Sequence, residues 1–100
     1  VDMFLTPVWP FALPTIEQSD VGSNPEAAAL VQKIGHNTRP VNFLGLPAIC
    51  LPIGFDKNGL PVSAQLVGKP FSEDLLLRAA HAIEREYRFW DSRPADIKTA

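Results

Sequence analysis

The amino-acid sequence predicts a small α/β fold, and three patterns along the chain support that prediction. Two apolar runs, residues 47–55 and 60–67, flank the turn sequence DKNG, which is typical of a β-hairpin. After Ser72, apolar side chains recur at three- and four-residue intervals, as on one face of an amphipathic C-terminal helix. A third apolar run, residues 2–6, predicts a further strand that is buried on both faces of a sheet.

The composition indicates one globular domain, because 46% of the 100 residues are hydrophobic and 20% are charged. We therefore expect residues 1–100 to form a single segment, with residues 91–100 as a loosely held tail. Ten residues are proline, about twice the usual share, and nine of them lie within the first 70 positions. Many prolines in an apolar chain predict ordered loops and strand ends rather than a flexible linker.

Charge and cysteine content argue against several classes of protein. The formal net charge is −2 and lysine and arginine are not clustered, whereas a nucleic-acid-binding surface needs a basic footprint. A single cysteine, Cys50, excludes an intrachain disulfide framework, and it is far in sequence from His36 and His81, so we predict no metal site and no cofactor. No apolar run approaches the ~20 residues of a membrane span and no leader pattern is visible, so we expect a cytoplasmic protein without membrane contact.

The segment after the first strand is expected to be an ordered loop that leads into a helix. Prolines interrupt residues 7–22 and exclude a regular strand ladder there. Asn24 as N-cap, Pro25 at the first helical position and the helix-forming residues 27–34 predict a helix that runs over residues 25–34. Gly35 is expected to end this helix in the left-handed conformation.

The next elements follow from glycine and proline positions. A short helical turn is expected over residues 39–44, ended by Gly45. The first hairpin strand contains Pro52, which has no N–H to donate, so the sequence predicts an edge position or a bulge there.

No catalytic set is visible from the residues alone. None of the five serines lies in a Gly-x-Ser-x-Gly elbow, and the six glycines are isolated, so no phosphate-binding loop is predicted. Ser23 and Ser72 are better explained as residues that begin helices, and Cys50 as a small core residue. His36 follows a helix C-terminus and His81 lies on the polar side of the last helix, so structural and solvated roles are expected for them.

Three stretches, in their order and spacing, resemble the C-terminal end of the amidase signature family. Residues 2–7 (DMFLTP) are similar to the family's Asp-x-x-x-Thr/Ser-Pro strand end. Residues 40–48 (PVNFLGLPA) are similar to its Pro-x-Asn-x-x-Gly-x-Pro-Ala motif. Residues 52–68 (PIGFDKNGLPVSAQLVG) resemble its Pro-x-Gly and Gly-Leu-Pro-x-x-x-Gln-x-x-Gly hairpin. With the helix that follows, the resemblance covers almost the whole chain from Asp2 to about Glu84.

The resemblance implies a larger α/β fold, in which this chain supplies part of a mixed central sheet flanked by helices. It also implies hydrolysis of carbon–nitrogen amide bonds by a serine nucleophile, a second serine in a cis peptide and a lysine base, with backbone N–H groups stabilising the oxyanion. In the family those residues lie N-terminal to everything present here. The four lysines match none of them, so we predict no catalytic residue in this chain and no turnover by the 100 residues alone.

The resemblance also places part of this chain beside the substrate pocket of the complete enzyme. The side chains expected to form pocket wall are Thr6, Trp9, Thr38, Asn42 and Phe43. Members that use glutamine as ammonia donor carry an aspartate where Gly35 stands here. A general amidase acting on a less polar small amide is therefore the expected branch of the family.

Two functional interpretations follow. In the first, the chain is the C-terminal structural and pocket-wall segment of an amidase-type hydrolase, and its partner is the remainder of that domain. In the second, it is a stand-alone, non-catalytic relic or a self-associating binding module, and its partner is a second copy of itself. Strands made for the middle of a large sheet expose unpaired backbone and apolar faces, so the isolated chain is expected to be oligomeric.

Overall fold

The computed structural model describes residues 1–22 and 24–92. It has the mixed α/β character that the sequence predicts, with three strands, four α-helices and two 3₁₀ turns in the described ranges. In chain order the elements are β1 (Met3–Pro7), α1 (Ile16–Ser19), α2 (Ala27–Ile34), a first 3₁₀ turn (Gly35–Asn37), α3 (Arg39–Leu44), β2 (Ala48–Phe55), β3 (Pro61–Gly68), α4 (Glu73–Tyr87) and a second 3₁₀ turn (Phe89–Asp91).

The three strands form one antiparallel sheet with β3 in the centre, between β1 and β2. The prediction that the first strand is buried on both faces is wrong, because Phe4 and Leu5, which point to opposite faces, are 60% and 67% exposed. β1 also lies at an edge of the sheet. The strand buried on both faces is β3, in which every residue from Ala64 to Gly68 is buried, and it pairs with a strand on each side. Every strand pair in the described part of the chain is antiparallel, so a mixed sheet would need strands from elsewhere.

The core lies between one face of the sheet and α4. Its buried centre joins the two hairpin strands to the helix and consists of Leu51, Leu66, Leu76 and Ala80. Four half-buried side chains surround it: Met3, Ile49, Ala79 and Ile83. The predicted apolar stripe of the last helix therefore packs as expected over about two turns, from Leu76 to Ile83. Tyr87, at its end, is exposed and stacks on Phe89 with the ring centroids 5.8 Å apart.

The hairpin between β2 and β3 is closed by side-chain and backbone features that the sequence shows directly. The Asp56 carboxylate accepts hydrogen bonds from the N–H groups of Asn58 at 2.8 Å and Leu60 at 2.9 Å. Gly59 takes a positive φ of 79°, which a side chain would disfavour. The strand register shifts between Pro52 and Gly54, which is the irregularity that the proline predicts.

The helices differ from expectation at their ends. The Asn24 side chain accepts from the Glu26 N–H at 3.0 Å, so it forms a turn before α2 rather than capping its first turn. Gly35 has φ −83° and continues into the first 3₁₀ turn, so it does not end α2 in the left-handed conformation. Gly45 does so for α3, with φ +68°, as predicted. The loop over residues 7–22 also contains α1, which begins at a capping box formed by Thr15 and Gln18.

Cys50 is exposed rather than part of the core. Successive side chains of a strand point to opposite faces, and the next residue, Leu51, points to α4. Residues 93–100, which hold most of the expected tail, lie outside the described residues. Asp91 and Ser92 each donate a backbone hydrogen bond, to Arg88 and Phe89. No helix in the described ranges is long and apolar enough to cross a membrane.

Candidate functional site

The end of β1, the middle of β3 and the first 3₁₀ turn meet at one buried amide. Gln65 is a polar residue that is only 2% exposed. Its Nε2 donates to Thr6 Oγ1 at 3.0 Å and to the backbone carbonyl of Asn37 at 2.7 Å. Thr6 and Gln65 are direct partners in the β1–β3 register, so the sheet itself brings the first pair together. A buried polar group needs such partners, because an unpaired one costs about 1–3 kcal/mol.

A second set of bonds closes this arrangement around the carbonyl of Pro7. Asn37 Nδ2 donates to the Pro7 oxygen at 3.0 Å, and Thr6 Oγ1 donates to the same oxygen at 3.2 Å. We call the group of Thr6, the Pro7 carbonyl, Asn37 and Gln65 the Gln65 junction. It joins three segments that are 28 to 59 residues apart in sequence. The junction therefore holds the turn after α2 against the carboxyl end of β1.

A surface cavity of about 250 Å³ lies next to this junction, along the chain that leaves β1. One wall is formed by Trp9, Phe11 and Leu13, and the facing wall by residues 61–63 of β3 together with Asp56. The Trp9 and Phe11 rings meet edge to face with their centroids 6.0 Å apart. The Val8 N–H donates to the Ser63 carbonyl at 3.2 Å, which keeps this chain beside β3 beyond the end of β1. The cavity is thus mostly apolar with one carboxylate in its wall.

The five residues expected to form pocket wall fall into two groups. Thr6 belongs to the Gln65 junction and Trp9 lines the cavity. Thr38 and Asn42 lie on the segment that the junction holds, where the Asn42 N–H donates to the Thr38 carbonyl at 3.2 Å. Phe43 is 89% exposed on α3. Trp9 is the one of the five that lines this cavity, and Thr6 lies in the Gln65 junction next to it. Thr38, Asn42 and Phe43 are not among the residues that line the cavity.

Sequence reasoning missed Gln65 and Asn37 as candidate functional residues. A signal for Gln65 is present, since it is one polar side chain inside the apolar stretch AQLV, and a polar group in a buried strand must find a partner. The identity of that partner depends on the β1–β3 register, which no local pattern reveals. Asn37 carries no local signal that distinguishes it from an ordinary loop residue.

The described residues do not assemble a catalytic pair. His36, Cys50 and His81 are all exposed, and none has a hydrogen-bonded partner that would activate it as a nucleophile or base. Residues 1–22 and 24–92 contain no cluster of three or more His, Cys, Asp or Glu side chains that could hold a metal ion. The geometry of the described residues positions three chain segments beside a small apolar cavity.

Comparison with known proteins relates this geometry to a family. Residues 1–77 match the family model described as Amidase. The chain is 44% identical over 94 residues to a glutamyl-tRNA(Gln) amidotransferase chain of Carboxydothermus hydrogenoformans, with 94% of this chain and 18% of that protein covered. It is 39% identical over 95 residues to the putative amidase AmiD of Mycobacterium bovis, with 94% and 19% covered.

A solved structure has the same fold over this length. The structure of 6-aminohexanoate cyclic dimer hydrolase complexed with substrate superposes with a TM-score of 0.81 at 31% identity, covering 94% of this chain and 21% of that one. The chain therefore spans about a fifth of the length of the relatives it matches. Since the family model covers 77 of the 100 residues, the resemblance seen in the three sequence motifs is confirmed, and the chain belongs to the amidase family.

Proposed function

We propose that this chain is the C-terminal structural and pocket-wall segment of an amidase-type hydrolase that cleaves carbon–nitrogen bonds of a small amide. Its partner is the remainder of the amidase domain, which supplies the serine, the cis serine and the lysine. β1, β2 and β3 would then be part of a larger mixed sheet flanked by helices. The observation that carries the proposal is the match to about a fifth of much longer amidase relatives, along almost the whole of this chain.

The surface of the chain supports the same proposal. Large apolar side chains are exposed on β1, α3 and the turn before α4, with Phe43 and Phe71 among the most exposed. Exposed apolar area of this extent marks surfaces that another part of a protein covers.

The unpaired edge of β2 is one surface that the remainder of the amidase domain would cover. A groove of about 300 Å³ runs between Ala48 and Ile49 of this edge strand and Leu76 and Leu77 of α4. Cys50 is exposed on the same strand. An edge strand has unpaired backbone donors and acceptors, so a neighbouring strand of the larger sheet would pair with β2 and close this groove.

The pocket wall favours a general amidase over a glutamine-dependent amidotransferase. Gly35 stands where the glutamine-using members carry an aspartate, and the cavity beside Trp9 and Phe11 is mostly apolar. Relatives with both kinds of name match this chain, so the branch rests on these residues. The proposed pocket wall in the complete enzyme consists of Thr6, Trp9, Thr38, Asn42 and Phe43.

Reconstitution tests the proposal. The purified 100-residue chain is expected to give no turnover of a simple aryl amide, because no activated nucleophile is present among the described residues. The same chain, put in place of the matched segment of 6-aminohexanoate cyclic dimer hydrolase, is expected to restore hydrolysis of the cyclic dimer to within about 100-fold of the parent enzyme.

Two controls accompany this experiment. The parent hydrolase without the matched segment should be inactive, and the parent itself sets the scale. A folded chimaera that is as inactive as the truncated hydrolase would contradict the proposal. Amide turnover by the 100-residue chain alone, at a rate that survives further purification, would contradict it as well.

The alternative function, a stand-alone self-associating module, is favoured by the free sheet edges. We expect the isolated chain to form dimers or larger species, with Phe4 and Leu5 of the β1 edge covered by a second copy. Leu5→Lys should shift the chain toward monomer, because a charge on an edge strand opposes strand pairing. Light scattering at several protein concentrations measures the molar mass of the unmodified chain and of Leu5→Lys.

A matched control uses a residue of similar exposure away from the edge. Val21, in the loop after α1, is 57% exposed and lies on no strand, and Val21→Lys should leave the distribution of species unchanged. A monodisperse 11.0 kDa monomer of the unmodified chain would show that the edges do not associate.

A further inference from the structure

We propose that Gln65 is a positioning residue for substrate binding, which acts by holding residues 35–45 against the carboxyl end of β1. The inference rests on the proposed function, because Thr38 and Asn42 of the held segment are proposed pocket wall. Gln65 itself is buried at 2% exposure and touches the wall only through Thr6 and the Asn37 backbone. It therefore acts through other residues and not on the substrate.

The chemistry of the two partners selects an amide at this position. The Asn37 carbonyl can only accept, so the group 2.7 Å from it must carry a proton. A glutamine Nε2 has two protons, which satisfy this carbonyl and the Thr6 hydroxyl oxygen at the same time. A glutamate would place a carboxylate oxygen against the Asn37 carbonyl, and a methionine of similar length would donate to neither partner.

The bond from Gln65 to the Asn37 carbonyl lies near one end of residues 35–45, so the Gln65 side chain affects the whole of that segment. Residues 35–45 are attached to the sheet at two ends. At one end is the Gln65 junction, and at the other the Gly68 N–H donates to the Pro47 carbonyl at 3.0 Å, next to the start of β2. The bonds between these ends are local, as in Asn42 to Thr38 and Leu46 to Val41. Loss of the junction leaves the segment anchored on one side only.

The Asn37 side chain strengthens this attachment independently. Its Nδ2 bond to the Pro7 carbonyl survives the loss of Gln65, whereas its carbonyl loses the Nε2 donor. Asn37→Ala removes the Nδ2 bond and keeps the Gln65 bond to the backbone. The two substitutions therefore remove different bonds of the same junction, and each should loosen the same segment.

Hydrogen exchange on the 100-residue chain tests the positioning role without any activity. In Gln65→Met, the amides of Asn42 and Gly45 are expected to exchange about tenfold faster than in the unmodified chain, while amides in the middle of α4 keep their rates. Thr6→Val should produce a smaller acceleration at the same amides, and Thr6→Ser, which keeps the hydroxyl, should restore the original rates. Gln32→Met, on the exposed face of α2, is the matched control and should change nothing.

Equal exchange in Gln65→Met and the unmodified chain overturns the proposal. So does a lack of protection at Asn42 and Gly45 in the unmodified chain, because there would then be no held segment. A uniform acceleration that includes α4 shows a general stability role for Gln65 and also overturns it.

Kinetics of the chimaera with 6-aminohexanoate cyclic dimer hydrolase connect the junction to binding. Gln65→Met is expected to raise KM about tenfold and to change kcat less than about threefold, because the wall moves and the catalytic serine and lysine do not. A fall in kcat with unchanged KM overturns the role in binding. If the unmodified chimaera is inactive, the proposed function fails, and the exchange experiment still decides whether Gln65 holds residues 35–45.

Discussion

Replacement of Leu76 by alanine is expected to lower the free energy of unfolding by about 2–5 kcal/mol. The Leu76 side chain is 2% exposed and joins α4 to Leu51 of β2 and Leu66 of β3, so its truncation leaves a cavity between helix and sheet. A domain of this length is stabilised by about 5–15 kcal/mol in total. The substitution therefore removes a large share of the stability.

The neighbouring residue provides the control. Leu77 lies one position further along the same helix but is 61% exposed, so Leu77→Ala should change the free energy of unfolding by less than about 0.5 kcal/mol. Urea titration followed by circular dichroism, at one fixed protein concentration, measures both variants. Equal midpoints for the two would mean that α4 does not pack on the sheet as described.

Gly68→Ala is expected to lower the free energy of unfolding by about 1–3 kcal/mol through overpacking. A Cβ at this position would overlap the Ser72 Oγ and would lie 3.2 Å from Leu76 Cγ. The Ser72 hydroxyl is held by a hydrogen bond to the Lys69 carbonyl at 2.6 Å, and Leu76 belongs to the core, so neither neighbour moves freely. The end of β3 and the start of α4 approach closely because residue 68 has no side chain.

Gly54→Ala is the matched control, since a Cβ there meets no atom within 4 Å. Its free energy of unfolding should stay within about 0.5 kcal/mol of the unmodified chain. Removal of the blocking hydroxyl in Gly68→Ala/Ser72→Ala should recover part of the lost stability, which makes the two substitutions non-additive. A Gly68→Ala variant as stable as Gly54→Ala would contradict the close approach.

Local sequence determines much of the fold. The hairpin turn, the bulge near Pro52, the end of α3 at Gly45 and the start of α4 after Ser72 all follow from residues within a few positions of each other. These predictions agree with the structure because turn geometry and helix periodicity are local properties. Gly35 shows the limit of such reasoning, since a glycine after a helix permits the left-handed conformation without requiring it.

The errors occur where burial depends on a distant neighbour. An apolar run such as residues 2–6 predicts a strand buried on both faces, yet β1 lies at an edge and exposes Phe4 and Leu5. The apolar surroundings of Cys50 predict a core position, but alternation along β2 turns it away from α4. Within the proposed larger domain, further strands would cover these residues, and the apolar run would then have the burial that its composition predicts.

The sequence alone was enough to identify most of the elements and, through three motifs in order, the amidase family. Its assignment of pocket wall to Thr6, Trp9, Thr38, Asn42 and Phe43 stays a prediction, of which the structure shows that Trp9 lines the cavity. The strand order β1-β3-β2 is known only from the tertiary structure. β1 pairs with β3 across about 60 residues of chain, and no local sequence preference encodes that pairing. With β3 in the centre, Gln65 becomes buried and must find distant acceptors, and the Thr6 hydroxyl and the Asn37 carbonyl are the groups that the fold brings to it.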